Sequence, residues 1–323
     1  MLAAVYDHAG PSDVLRVEEI ARPVPAAGEV RVRIRLSGVN PTDWKARAGT
    51  PPAAGAFQVP NQDGVGTIDA VGVGVDAARI GERVWVRFAA WQRPWGTAAQ
   101  WSVVPQEDAV ALPDAASDEL GASLGIPAMT AHRLLFADGP LDTRTVLVAG
   151  GAGAVGHAAI ALARWAGAHV ITTVSSPEKA ALARAAGAHE VVNYRDDDAV
   201  DQLRALAPDG IDRVAEVSLA ANLDLDLQVC APRAVISSYA DDGGGEPALP
   251  IRRLMVKNLE LRFVLVYTMG PAATSAATHD LARIMEDGAL PTQPVHRSPL
   301  EETAAAHDAV EGGAVGKVLI EVP

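Results

Sequence analysis

The stretch Val146-Leu147-Val148-Ala149-Gly150-Gly151-Ala152-Gly153-Ala154-Val155-Gly156 constrains this chain more than any other. An apolar, strand-like run feeds a glycine loop. The loop opens onto His157 to Ala166, which reads as a helix stopped by Gly167. Gly151, Gly153 and Gly156 satisfy G-x-G-x-x-G. In a dinucleotide site the first glycine makes the tight turn and the second lets a pyrophosphate approach the backbone. The third lets helix and strand pack closely. The helix start, here Ala154 and Val155, then offers unpaired N–H groups and a positive dipole end to the phosphates. A glycine-rich turn with no ligand is the plain alternative, but the strand before and helix after supply the context a dinucleotide site requires.

The same region, Val146 to Ala163, is long and uncharged enough to suggest a membrane span, but its glycine spacing argues against one. The chain of 323 residues has room for two domains, and 49% apolar with 21% charged residues is ordinary globular composition. Forty acidic against 27 basic residues give a formal charge of −13, which opposes binding to nucleic acid or anionic membrane. Cys230 is the single cysteine, so an internal disulfide and a cysteine-rich metal site are both excluded. Met1 to Asp7 has no basic segment leading into an apolar one, so a cytoplasmic protein is expected.

The first third of the chain reads as β-rich. Val30, Val32, Ile34 and Leu36 alternate with Arg31, Arg33 and Arg35, the period of a half-buried strand. Gly64 to Val75 and Arg83 to Phe88 continue that pattern between turn residues, which suggests a small barrel-like domain. Ser117 to Phe136 reads as helical with an interruption at Pro127. From Thr145 strands and helices alternate. Strands are expected at 169–174, 190–193, 211–217, 234–238 and 259–267, and helices at 177–186, 199–207 and 219–230. A long helix at 272–287, another at 300–311 and a strand at 317–322 follow. Such alternation implies an α/β fold with a doubly wound, Rossmann-type parallel sheet. Asp241-Asp242-Gly243-Gly244-Gly245 signals a flexible loop. The expected division is a β-rich substrate domain at 1–115, a nucleotide domain at 116–267 and a C-terminal return at 268–323.

An acid about 20 residues beyond the glycine loop would read the ribose of NAD. Here the second strand ends in Ser175, Ser176, Pro177, Glu178 and Lys179. The two hydroxyls and the lysine offer donors and positive charge to a 2′-phosphate, with Tyr194 and Arg195 after the third strand able to close the same pocket. NADPH is therefore favoured over NADH. Glu178 weakens the argument, and both serines can also cap the helix that follows.

Further motifs carry a resemblance. Gly38-Val39-Asn40-Pro41-Thr42-Asp43, Ile126-Pro127-Ala128-Met129-Thr130-Ala131, Gly210 to Val217 and Gly316-Lys317-Val318-Leu319-Ile320 together resemble the zinc-free, zeta-crystallin-like quinone oxidoreductases of the medium-chain dehydrogenase/reductase superfamily. The resemblance runs over essentially the whole chain. It implies that the first domain is GroES-like, that the protein is a homodimer paired through sheet edges around Leu259 to Tyr267, and that a small electrophile is the substrate. Asn40 stands where the resemblance would put a zinc-binding cysteine, and Asn61-Gln62-Asp63 where a histidine motif would lie. Neither amide is a good zinc ligand, so no metal is expected.

The implied reaction is hydride transfer from NADPH to a quinone. The first alternative is an enal, enone or enoyl-thioester double bond; a second is a non-enzymatic, crystallin-like or RNA-binding role. The resemblance places Asn40, Asp43 and Thr130 near the nicotinamide as catalytic candidates. Asn40 equally suits a turn before Pro41, and Thr130 equally suits helix packing. It assigns Ser238, Tyr239, Val264, Leu265, Val266 and Lys317 to the cofactor. The three apolar residues equally suit a core, and Lys317 equally suits an exposed position before a strand. Tyr239, Asn61 and Ala154 each depart from a usual glycine. Trp44, Phe57, Trp91 and Trp95 are candidates for an aromatic substrate wall, with packing or oligomer contact as the alternative.

Overall fold

A computed structural model describes residues 1–240 and 246–323. The expected loop at Asp241–Gly245 lies outside the described residues. The chain forms two compact units, Met1–Ile126 with Thr292–Pro323, and Pro127–Pro291.

In the first unit Val30, Val32 and Ile34 are buried, while Arg33 and Arg35 stay exposed, as the alternation requires. Their strand, Glu29–Val39, is the spine of a seven-stranded sheet. It pairs antiparallel with Lys317–Glu321, Asp63–Val71 and Trp101–Pro105. Arg83–Val86 and Ala109–Ala111 extend one side, and Val295–Pro299 adds in parallel beyond Lys317–Glu321. Alternation stops at Leu36, and from there to Val39 every residue is buried. Gly38 permits this: a Cβ there would lie 2.1 Å from the Ala122 carbonyl oxygen.

Helix Pro41–Gly49 follows Asn40, where a turn was the alternative to a functional role for that residue. Asn40 precedes it, proline occupies its start and Asp43 sits in its first turn, each favourable to a helix N-terminus. Asp43 Oδ2 accepts the Asn40 N–H at 2.7 Å.

The second unit holds six parallel strands in the spatial order 3-2-1-4-5-6, the doubly wound order. In spatial order they are Glu190–Asn193, His169–Val174, Thr145–Ala149, Ile211–Glu216, Cys230–Ser238 and Glu260–Phe263. Val146, Leu147 and Val148 are each at most 1% exposed. A strand covered on both faces needs no polar alternation, which accounts for its unbroken apolar run.

Three expectations change. The strand expected at 259–267 ends at Phe263. The Val264 N–H still bonds to the Ser238 carbonyl at 2.8 Å, but the chain then coils into a short 3-10 turn at Val266–Thr268. Helix Ile251–Lys257, absent from the sequence reading, precedes that strand. The units also exchange at 126/127 and 291/292 rather than at 115/116 and 267/268. The physical reason is packing. Leu120 and Gly121 are buried, and a Cβ on Gly121 would meet Leu112 and Val65 of the first unit. Helix Pro271–Glu286 buries Ala277, Leu281, Ile284 and Met285 and packs on helix Pro127–Phe136, where His132 Nε2 lies 2.9 Å from Asp280.

Leu281 is fully buried. Leu281→Ala is expected to cost about 2–5 kcal/mol in denaturant unfolding, and a cost below about 1 kcal/mol would remove this helix from the second core.

Candidate functional site

The second unit presents its glycine loop between strand Thr145–Ala149 and helix Ala154–Trp165. The left-handed turn falls on Gly150, at φ +71°, one residue before the motif's first glycine. The sequence reading missed Gly150, although the Gly150-Gly151 pair signals it. Gly151 serves close approach, since a Cβ there would lie 2.1 Å from Thr172 Oγ1. Gly156 holds the helix against the loop, where a Cβ would lie 2.3 Å from the Gly150 carbonyl. Gly153 is exposed, and its added Cβ would approach nothing nearer than 3.4 Å. That bare, outward glycine with the half-exposed Ala154 and Val155 makes the helix start accessible to an anion.

At the end of strand His169–Val174 the capping role falls to Ser176. Ser176 Oγ caps the next helix by accepting the Lys179 N–H at 3.3 Å, while Lys179 Nζ donates to Ser175 Oγ at 3.2 Å. The Tyr194 N–H bonds to the Val174 carbonyl at 3.1 Å, which brings Tyr194 beside this group with its side chain exposed. Ser238 ends the fifth strand and Tyr239 follows it, the Tyr239 N–H bonding to the Glu216 carbonyl at 3.2 Å. Val264 continues the sheet pairing, Leu265 is exposed and Val266 is buried. Thr130 is buried within helix Pro127–Phe136.

The first unit holds a buried polar cluster. Asn40, Asp43, Asp63 and Lys317 are each at most 3% exposed. Lys317 Nζ donates to Asn40 Oδ1 at 2.6 Å and lies 3.7 Å from Asp63 Oδ2. Asn40 Nδ2 donates to the same Asp63 oxygen at 2.7 Å. Asp63 Oδ1 accepts the Ile126 N–H at 2.8 Å, and Asp43 Oδ1 accepts the Gln62 N–H at 3.1 Å. Burial pushes the Asp43 carboxyl up to about 8, and the charge of Asp63 adds to the rise. Burial also raises Asp63 against the pull of Lys317, and lowers Lys317 against the pull of both carboxylates. Lys317 is thus buried and not in the exposed position offered as its alternative; its ammonium donates to Asn40 and faces Asp63. Asp63 is the member that reading passed over.

Asn61 adopts φ +76°, which explains why glycine suits this position. Its side chain donates to Ser37 Oγ at 2.9 Å and meets His307 Nε2 at 2.9 Å. Burial lowers His307 to about 3, so its imidazole is neutral. Of the aromatic candidates, Phe57 and Trp95 stack edge to face at 5.4 Å and pack on the core around Ala3, Val5 and Val59. Trp44 is half-buried with the Lys45 ammonium 5.7 Å from its ring, and the Trp91 N–H bonds to the Phe88 carbonyl at 3.1 Å.

Two family models match the chain: an alcohol dehydrogenase GroES-like domain over residues 26–114 and a zinc-binding dehydrogenase domain over 154–283. A quinone oxidoreductase of Pseudomonas aeruginosa is 30% identical over 309 residues, 92% of each chain. A solved mycobacterial structure, Rv1454c complexed with NADPH, is 30% identical with a TM-score of 0.87, covering 99% of this chain and 100% of that one. A 2-haloacrylate reductase structure is 29% identical with a TM-score of 0.84, covering 99% of each. The two units and their motifs are those of a medium-chain dehydrogenase/reductase. Within that superfamily the chain belongs to the zeta-crystallin-like quinone oxidoreductase family.

Zinc, which the second model's name implies, does not fit the buried cluster. The Lys317 ammonium already stands against the amide oxygen and carboxylate that would have to face a cation. The cluster contains neither cysteine nor histidine. Among the described residues no group of three or more His, Cys, Asp or Glu is placed to hold a metal.

Lys317→Met is expected to destabilise the protein by about 3 kcal/mol in urea unfolding, because it strands a buried carboxylate. Adding Asp63→Asn should recover at least half of that loss. A double variant no better than the single one would show that the ammonium and carboxylate are not energetically paired.

Proposed function

We propose that this protein is an NADPH-dependent, zinc-independent oxidoreductase that reduces quinones by hydride transfer. The observation that carries the reading is the juxtaposition, at the ends of neighbouring strands, of the glycine cradle and the Ser175–Lys179 pair. The cradle excludes side chains where a pyrophosphate would lie, and the pair offers a hydroxyl and a cation where an acid would favour NAD. The quinone oxidoreductase relatives support the acceptor class.

In this reading Gly151, Gly153, Ala154, Val155 and Gly156 hold the pyrophosphate through backbone N–H groups. Ser175, Ser176, Lys179 and Tyr194 surround the 2′-phosphate. Ser238, Tyr239 and the backbone of Val264 to Val266 lie on the carboxyl side of the same sheet and serve the nicotinamide end. Bound NADPH supplies two electrons as hydride, and the acceptor takes a proton from solvent to finish as the hydroquinone. Asn40 and Asp43 are buried with their polar atoms engaged, so they position the start of helix Pro41–Gly49. Likeness to a 2-haloacrylate reductase favours a second reading, in which an activated carbon–carbon double bond takes the hydride.

We further propose a homodimer paired through the edge strand Glu260–Phe263. Phe263 on that strand and Leu265 just past it, with Met255 and Val256 on the preceding helix, are large apolar side chains left exposed. The lone cysteine is consistent with the cytoplasm.

NADPH and NADH oxidation should be compared with benzoquinone, phenanthrenequinone, an alkenal and an enoyl-CoA thioester. Turnover of the quinones with NADPH is the expected result, and turnover of only the alkene substrates transfers the assignment to the second reading. Ser175→Ala with Lys179→Ala should raise KM for NADPH about 10–100-fold, the loss of charged hydrogen bonds to a phosphate, and leave NADH unchanged. An equal loss for both nucleotides would overturn the 2′-phosphate assignment.

A further inference from the structure

The second unit contains a pair of buried carboxyl groups that the proposed reaction does not use. Glu216 ends the fourth strand of the sheet, and Asp226 lies on the helix Leu219–Val229 that follows it. Both side chains are 0% exposed. Glu216 Oε1 accepts the Ser218 N–H and, at 2.9 Å, a hydrogen of Asn222 Nδ2. Its other oxygen and both Asp226 oxygens meet no N–H or O–H donor among the described residues. Two ionised carboxylates side by side without donors would be strongly unfavourable in a protein interior. A hydrogen bond between the two side chains removes the difficulty if one of them keeps its proton.

We propose that Glu216 and Asp226 share one proton across the neutral range, forming an acid–carboxylate latch that ties the helix to the strand end beside the nucleotide loop. The donors on Oε1 mark Glu216 as the carboxylate and Asp226 as the acid. The latch adjoins the loop directly: a Cβ on Gly150 would meet Val217 at 3.4 Å, and the Glu216 carbonyl anchors Tyr239. The other titratable groups facing the pair do not compensate it. Cys230 is buried and neutral, its thiol pushed up to about 12 by burial and by Asp226. Lys257 Nζ spends its hydrogens on the Leu227 and Cys230 carbonyls. Burial and the mutual charge raise both carboxyls, in agreement with the geometry.

The direction of the pH effect follows. The folded protein keeps a proton that the unfolded chain releases, so stability falls as pH rises from the ordinary carboxylate range to the pair's folded pKa. Each retained proton lowers the folding constant by about tenfold per pH unit over that window. Once the proton is lost, two adjacent buried charges loosen the turn at Val217.

The test compares unfolding of the whole protein from mildly acid to alkaline pH in wild type, Asp226→Asn and Glu216→Gln. Either amide replaces the shared proton with a permanent N–H donor. Both variants should lose about one proton's worth of slope, and wild type at neutral pH should show an infrared carbonyl band of a protonated acid that Asp226→Asn lacks. Asp43 and Asp63 titrate alike in all three proteins and cancel. Equal slopes overturn the latch, and if one variant does not fold, a carbonyl band undiminished from wild type in the other does so instead. NADPH affinity, followed by fluorescence, should weaken at alkaline pH in wild type and stay level in the variants. This last arm rests on the nucleotide reading: no NADPH binding at any pH overturns that reading, while equal pH dependence with unequal stability slopes overturns only the latch's hold on the loop.

Discussion

One buried carboxylate, Asp63, holds together pieces of chain that are far apart in sequence. It takes a hydrogen bond from Asn40, faces the Lys317 ammonium, and receives the Ile126 N–H where the chain leaves the first unit. Gly125 must lack a side chain for that bond to form, since a Cβ would stand 2.2 Å from the carboxylate oxygen. The backbone carbonyl of Asp63 accepts the Thr97 hydroxyl as well. A charge so placed is tolerable only because its partners are complete, and each partner is fixed by the same requirement. The end of the long strand, the start of the helix after it and the start of the C-terminal strand all take their positions from it.

The nucleotide unit rests on a different principle. Its central strand, Thr145–Ala149, is covered on both faces and offers no polar side chain beyond Thr145, so recognition there is left to the backbone and the strand end. Glycine provides this in three ways here. Gly150 supplies a turn, Gly151 a close packing against Thr172, and Gly153 an uncovered backbone. Because the loop offers N–H groups instead of side chains, the function proposed above assigns discrimination between the two nicotinamide dinucleotides to Ser175 and Lys179 at the next strand.

Local pattern made much of this legible. The unbroken apolar run Val146 to Ala149 and the alternating Val30, Val32 and Ile34 each report the number of faces covered, and both strands formed as that pattern implies. The glycine loop was legible because its requirements are steric and contiguous. Lys317 was not, because its partner Asn40 is 277 residues away and no local period reports such a pairing. Helix Ile251–Lys257 escaped because Met255 and Val256 face solvent, which spoils the amphipathic period. The strand expected through Tyr267 was too long because its apolar residues continue past the last sheet bond at Val264.

The ammonium of Lys317 also bears on how such a chain can change. Placing a cysteine at position 40 would not by itself create a metal ligand set, because a fixed positive charge already occupies its neighbourhood. The nearby cation would favour the thiolate, so the first product of that substitution would be an oxidisable sulfur. Any route from this interior to a metalloenzyme therefore requires the lysine and the cysteine positions to change together, and the intermediate with only one change is burdened with either a stranded carboxylate or a vulnerable thiol.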